Sequence, residues 1–225
     1  RFDLSLFAWG GLVTLLMIVD GKKPLDAFRW AFFCGLLFFT GTLFWFFHIT
    51  QWFSYIAAIG VTLLLLYLSL YFGLFGFIAG LFSQRKPLQR LFLLPSVWVV
   101  LEWVRGHLFT GFGWASLGHS QYKNLINIQI ADMTGVAGVS FIIVMVNVLL
   151  KEVIAASDKT HPSRKALPFL MLAASVVMVF DLGYGAFRLV PAKKSDQPTA
   201  RFTAAIIQAN TSQEDKWDKL AWPQV

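Results

Sequence analysis

Polar and apolar positions alternate along this chain on a scale of tens of residues, not of two or four. Six apolar runs stand out, at residues 2–19, 30–47, 55–82, 91–104, 135–150 and 166–187, with the charges gathered between them. A helix needs roughly 20 apolar residues to cross bilayer hydrocarbon, so the pattern predicts an α-helical polytopic membrane domain of about six spans. The third run is longer than a bilayer requires, which predicts tilt or a protruding end. It carries Gly73, Gly76 and Gly80, and the last two form a GxxxG pair of the kind that lets helices approach closely. Pro95 falls early in the fourth run, where it is tolerated or kinks the helix. The first run lacks a basic leader and a small-residue cleavage site, and more spans follow, so it reads as a span and not as a signal peptide.

The pattern changes after the sixth run. VPAKKSDQPTA is a linker bearing proline and charge, and RFTAAIIQAN reads as a buried strand between Pro198 and Asn210, short and partly β-branched. This divides the chain into a transmembrane helical domain at 1–190, a linker at 191–200, and at 201–225 the first strand of an α/β domain. Both ends, Arg1 and Val225, read as internal positions of a longer chain.

Composition agrees with the pattern. Apolar residues are 57% and charged residues 14% of the 225, with a mean hydropathy of +0.63, whereas soluble domains carry about 25% charge. The net charge of +7 belongs to loops, so a basic nucleic-acid-binding face is excluded. The loops after runs one, three and five hold Lys22, Lys23 and Arg29; Arg85, Lys86 and Arg90; and Lys151, Lys159, Arg164 and Lys165. The loops between them hold only Arg105 and Lys123. By the positive-inside rule the first set faces the cytoplasm, which puts residues 102–127 and everything after the sixth run on the outer side.

Candidate chemistry concentrates in EWVRGHLFTGFGWASLGHSQ, Glu102 to Gln121. Glu102 and Arg105, three residues apart, share a helix face and can pair. They end a span as an interfacial ion pair or anchor a lipid headgroup or substrate, since a guanidinium matches phosphate geometry. His107 and His119 belong to the outer mouth, with interfacial hydrogen bonding favoured over catalysis. No histidine pair has zinc-binding spacing. The lone Cys34 excludes an internal disulfide or a cysteine metal cluster, and without a neighbouring base it reads as packing. Trp217, in NTSQEDKWD beside Lys216, either covers an acyl-binding cleft or packs on its own domain.

Two stretches carry a family resemblance. WVVLEWVRGHLFTGFGWASLGHSQ resembles the apolipoprotein N-acyltransferase pattern of a Trp, a Glu-aromatic-aliphatic-Arg-Gly segment, L-x-T-G-F-x-W and L-G-x-S-Q. AAIIQANTSQEDKWD is similar to the opening of that family's nitrilase-like domain, V-Q-x-N-x-x-Q-x-x-K-W. IADMTGVAGVSFIIVMVN and YLSLYFGLFG also look like family segments. Gly113 stands where the family often has Pro, and His119 where it often has Tyr.

The resemblance implies a bacterial inner-membrane enzyme with eight spans and a periplasmic nitrilase-like domain. Such an enzyme moves an acyl chain from a phospholipid, through a cysteine thioester, onto the α-amine of the lipidated N-terminal cysteine of an apolipoprotein. It further implies that the catalytic Glu, Lys and Cys lie beyond Val225, so that these 225 residues alone are inactive. Trp217 would stand near the active-site mouth, with Glu102 and Arg105 supporting the lipid-facing side. No cofactor and no metal are expected. The partners are the phospholipid donor, diacylglyceryl apolipoproteins and membrane lipids, and the protein is expected to act as a monomer. A transporter or scaffold is the competing reading. It is disfavoured because the spans look free of ionisable groups away from their ends, whereas transport needs such groups at mid-membrane.

Overall fold

The computed structural model describes residues 5–194 and 203–208. The chain divides into two compact units, Arg1–Val190 and Pro191–Val225. Its six α-helices are α1 (Val13–Val19), α2 (Pro24–Thr42), α3 (Phe46–Leu81), α4 (Pro87–His107), α5 (Ala131–Ala155) and α6 (Ser163–Lys194). Short 3-10 turns occupy Ser5–Trp9, Leu117–Gln121 and Asn127–Ile130.

Each α-helix falls on one of the six apolar runs. Three helical segments are long and apolar enough to cross a membrane: Tyr55–Leu81, Asn127–Ala155 and Ser163–Val190. The other three fall short for identifiable reasons. Asp26 and Arg29 dilute α2, and Arg90, Glu102 and Arg105 dilute α4. The first run is broken at Gly10–Gly11, between the opening 3-10 turn and α1. Asn147 of α5 holds that break together: its Oδ1 accepts from the Leu12 amide at 2.9 Å and its Nδ2 donates to the Ala8 carbonyl at 2.8 Å. An irregular backbone at membrane depth is tolerated where protein supplies the missing hydrogen bonds.

α2 and α3 make the most extensive helix pair. A Cβ added at Gly76 would lie 2.4 Å from the Ala31 Cβ and 2.6 Å from the Ala27 carbonyl oxygen. At Gly80 it would lie 2.9 Å from the Pro24 Cα, and at Gly73 2.7 Å from the Phe28 ring. The glycine face predicted from the sequence is thus the surface on which α2 lies. Packing of this kind drives helix association where lipid removes the hydrophobic incentive. Beside it, Phe39, Phe72, Phe75 and Trp98 form an edge-to-face cluster with centroid separations of 5.0–5.6 Å. α5 packs against α4, α1 and the 3-10 turns. α6 is peripheral, with only 17% of its apolar window buried.

The predicted strand is not found among the described residues. Residues 203–208 have no regular secondary structure, and Ile206 and Ile207 are 97% and 94% exposed. A strand exists by pairing, and these residues have no partner strand among the described ones. The linker from Ser195 and the rest of 201–225 lie outside the described residues.

The charges also depart from the sequence reading. Arg90 and Lys151 are not free loop cations but are each 5% exposed. Asp181, inside the sixth run, is fully buried, so the spans are not free of ionisable groups. It accepts a 2.7 Å hydrogen bond from Asn127 Nδ2, so the turn before α5 supplies the donor that lets α6 bury a carboxylate.

Candidate functional site

The site begins with the face of α4 that carries Trp98, Glu102 and Arg105 at positions i, i+4 and i+7. The helix closes where the Leu108 amide donates to the Val104 carbonyl at 2.7 Å and the Phe112 amide returns to the Arg105 carbonyl at 2.8 Å. Gly111 makes that return possible. Its φ is +77°, and a Cβ there would lie 2.2 Å from the Gly106 carbonyl oxygen. Phe109 and Ala115 also adopt positive φ, at 57° and 58°, conformations that non-glycine residues seldom hold without a surrounding structure that imposes them.

Glu102 and Arg105 impose it, but not by hydrogen bonding to each other. Glu102 Oε1 accepts from Trp98 Nε1 at 3.0 Å and from the Leu117 amide at 2.7 Å. The carboxylate thereby satisfies an orphan N–H at the start of the Leu117–Gln121 turn, for which Ser116 supplies no side-chain cap. Arg105 Nη2 donates to Ser116 Oγ at 3.3 Å, and that hydroxyl donates to the Gly113 carbonyl at 3.1 Å. The spacing had suggested an ion pair along the helix; each group instead holds a different point of the loop.

Other elements complete the anchoring. The Gly118 amide donates to Ser140 Oγ of α5 at 2.8 Å. Gln121, 1% exposed, accepts from Trp9 Nε1 and donates to the Ser5 carbonyl, both at 3.0 Å. The loop is therefore fixed to α4, α5 and the N-terminal turn, and Ser140 and Trp9 are contributors that no sequence spacing singled out.

A narrow cleft of about 20 Å³ opens beside this scaffold, lined by Tyr71, Phe72, Trp98, Leu101, Glu102 and Arg105. Arg105 is 4% exposed, lies 5.6 Å from the Phe39 ring centroid, and leaves its Nε without a hydrogen-bond partner. The Tyr71 and Tyr67 hydroxyls are 2.6 Å apart. Aromatic contacts tie the loop to the α3 side: Trp114 stacks on Phe46 at 5.9 Å and lies 5.6 Å from Trp45, while Phe109, 83% exposed, meets Tyr67 edge-on. A buried cation with spare donor capacity inside aromatic walls suits an anion attached to an apolar body.

His107 stacks on Trp103 at 4.5 Å, with Nδ1 2.7 Å from the Trp103 carbonyl. His119 is exposed on the loop turn. Cys34 is partly buried against the α2–α3 core. Trp217 lies outside the described residues. No group of three or more His, Cys, Asp or Glu is arranged to hold a metal ion among the described residues.

A second polar centre, missed by sequence reasoning, lies where α1, α4, α5 and α6 meet. Arg90 contacts Asp20 at 3.0 Å and Glu152 at 3.0 Å, and Lys151 contacts Asp20 at 2.5 Å. The Ser163 hydroxyl, fully buried, donates to Glu152. The available signal was the placement of Asp20 and Glu152 at the ends of apolar runs. Counting only cations passed over it. In the nearby α5–α6 turn, the Thr160 amide and hydroxyl both donate to Asp158, which holds that carboxyl below its ordinary pKa.

Comparison with known proteins places these features in a family context. The sequence model of the apolipoprotein N-acyltransferase N-terminal domain matches residues 1–149. The apolipoprotein N-acyltransferase of Geobacter metallireducens is 36% identical over 220 residues, covering 96% of this chain and 41% of that protein. The Haemophilus ducreyi enzyme of the same name is 31% identical over 224 residues, with 96% and 41% covered. The chain thus spans about two fifths of the length of these relatives.

Proposed function

The chain belongs to the apolipoprotein N-acyltransferase family, and from that premise we propose that it forms the membrane half of an enzyme that N-acylates the lipidated N-terminal cysteine of apolipoproteins. The donor is a phospholipid. Its acyl group passes to a cysteine thiolate of the enzyme, releasing a lysophospholipid, and then to the α-amine of the acceptor, releasing the thiol and forming an amide. A carboxylate base and a lysine at the oxyanion suit both steps. None of the 225 residues is assigned those three roles.

In this reading all six helices lie in a bacterial inner membrane, and the Glu102–Gln121 loop faces the periplasm. A nitrilase-like domain follows from residue 201. The observation that supports it best is the Arg105 cleft: a nearly buried guanidinium with one free donor, walled by Tyr71, Phe72 and Trp98. A guanidinium among aromatic side chains suits the phosphate of a donor lipid drawn against this face.

The test uses the full-length protein in detergent micelles with a labelled phospholipid and a diacylglyceryl-cysteine peptide. Transfer of label to the peptide amine is the expected result, and its absence overturns the assignment. Arg105→Lys should raise the KM for phospholipid about tenfold with a smaller change in kcat, as loss of charge-assisted hydrogen bonds implies. An equal loss in kcat would move Arg105 out of the mouth and into the chemical step.

Trp217 is proposed to line the active-site mouth. Trp217→Ala should therefore lower turnover with no loss of membrane insertion, and unchanged turnover would remove it from the site.

A further inference from the structure

The α1–α2, α3–α4 and α5–α6 turns converge around a hollow of about 390 Å³ at the end of the bundle that holds the Arg90 cluster. Asp20, Ser83, Arg85, Lys86, Arg90 and His161 contribute to its lining. The floor is neutral: the two carboxylates Asp20 and Glu152 offset Arg90 and Lys151. The rim is not. Arg85 and Lys86 are exposed and make no ion pair among the described residues. Arg90, 5% exposed, also leaves its Nε without a hydrogen-bond partner.

The flank of the hollow is apolar. Leu81, two residues before Ser83, is 54% exposed, and Leu88, next to the lining residue Pro87, is 43% exposed. A concave surface with two uncompensated cations, bordered by bare leucines and set at the ends of membrane-crossing helices, matches a ligand that is anionic at its head and apolar below. Basic pockets between helix ends hold lipid headgroups by this combination of charge and depth.

We propose that this hollow binds the headgroup of an anionic phospholipid. The phosphate would lie between Arg85 and Lys86 over the Arg90 floor, with acyl chains descending along Leu81 and Leu88. The proposal does not depend on acyl transfer, because the hollow is at the opposite end of α4 from Arg105. The two readings therefore fail separately.

The experiment is native mass spectrometry of the full-length protein in micelles doped with phosphatidylglycerol or with phosphatidylcholine. The wild type should retain phosphatidylglycerol adducts preferentially. Arg85→Gln/Lys86→Gln should retain roughly tenfold less, whereas Lys159→Gln/Arg164→Gln, which removes equal charge from exposed positions outside the lining, should match the wild type. Equal loss in both double variants would mean bulk charge attraction and overturn the site, as would no loss in either. Inorganic phosphate at millimolar concentration should leave the adducts in place. Displacement by phosphate would assign the hollow to a soluble anion and overturn the lipid reading. All four substitutions are at exposed positions, so thermal unfolding of each variant should match the wild type.

Discussion

Replacing Arg90 with Met should destabilise the helical bundle by about 3–5 kcal/mol, the largest effect expected of any single substitution in this chain. The guanidinium reaches Asp20 through Nη1 at 3.0 Å and Glu152 through Nη2 at 3.1 Å. Glu152 is 1% exposed and Lys151 is 5% exposed. Removing Arg90 would leave two carboxylates facing one ammonium in a site that water scarcely reaches. An unpaired buried charge costs far more than the pair contributes, because the desolvation already incurred is no longer offset. The prediction is checked by thermal unfolding of the purified protein in micelles.

Arg90→Met combined with Glu152→Leu should recover most of the loss, since it removes one charge of each sign and leaves Lys151 on Asp20 at 2.5 Å. If the double variant is as unstable as the sum of the two singles, the residues do not act as a unit. The cluster would then be a set of separate contacts.

The second large effect is expected at Gly76. A valine there cannot be accommodated by rotating a neighbour, because the added Cβ meets the Ala27 carbonyl oxygen at 2.6 Å as well as the Ala31 Cβ at 2.4 Å. Backbone must move, so α2 and α3 must separate over several turns. Overpacking costs about 1–3 kcal/mol when side chains can adjust, and Gly76→Val should lie at or above the top of that range. Gly60, on the same helix, is an internal control: nothing lies within 4 Å of its Cβ position. Gly60→Val should shift the unfolding midpoint little, since surface substitutions usually stay within about 0.5 kcal/mol. Equal sensitivity at the two positions would mean that the effect comes from helix propensity and not from the α2–α3 contact.

Much of the helical layout was legible in the chain because run length and apolar content are local properties. Each of the six α-helices falls on an apolar run, and the GxxxG face proved to be the close-packed one. The loops after runs one, three and five hold most of the cations, and the corresponding turns meet at one end of the bundle. What failed was the fate of individual charges. Arg90 and Lys151 counted as loop cations, yet both fold back to meet Asp20 and Glu152, which are 70 and 62 residues from Arg90. Asp181 stands in plain view within an apolar run, but that it is buried there follows from Asn127, 54 residues away, which supplies its hydrogen bond.

At the candidate site, spacing identified Glu102 and Arg105 but suggested the wrong partner for each. The i,i+3 rule describes an isolated helix. Here the loop offers a free amide at Leu117 and a hydroxyl at Ser116, and these take the hydrogen bonds.

The sequence by itself determined that this is a helical membrane protein, where its helices fall, and which stretch marks its family, because each of these follows from residues close together in the chain. Only the tertiary structure decided which charges are buried and what they hold. It decided too that the first apolar run breaks around Asn147, and that Glu102 caps a turn fifteen residues onward. Those outcomes depend on which groups meet across the bundle, and burial then penalises every charge or amide left without a partner.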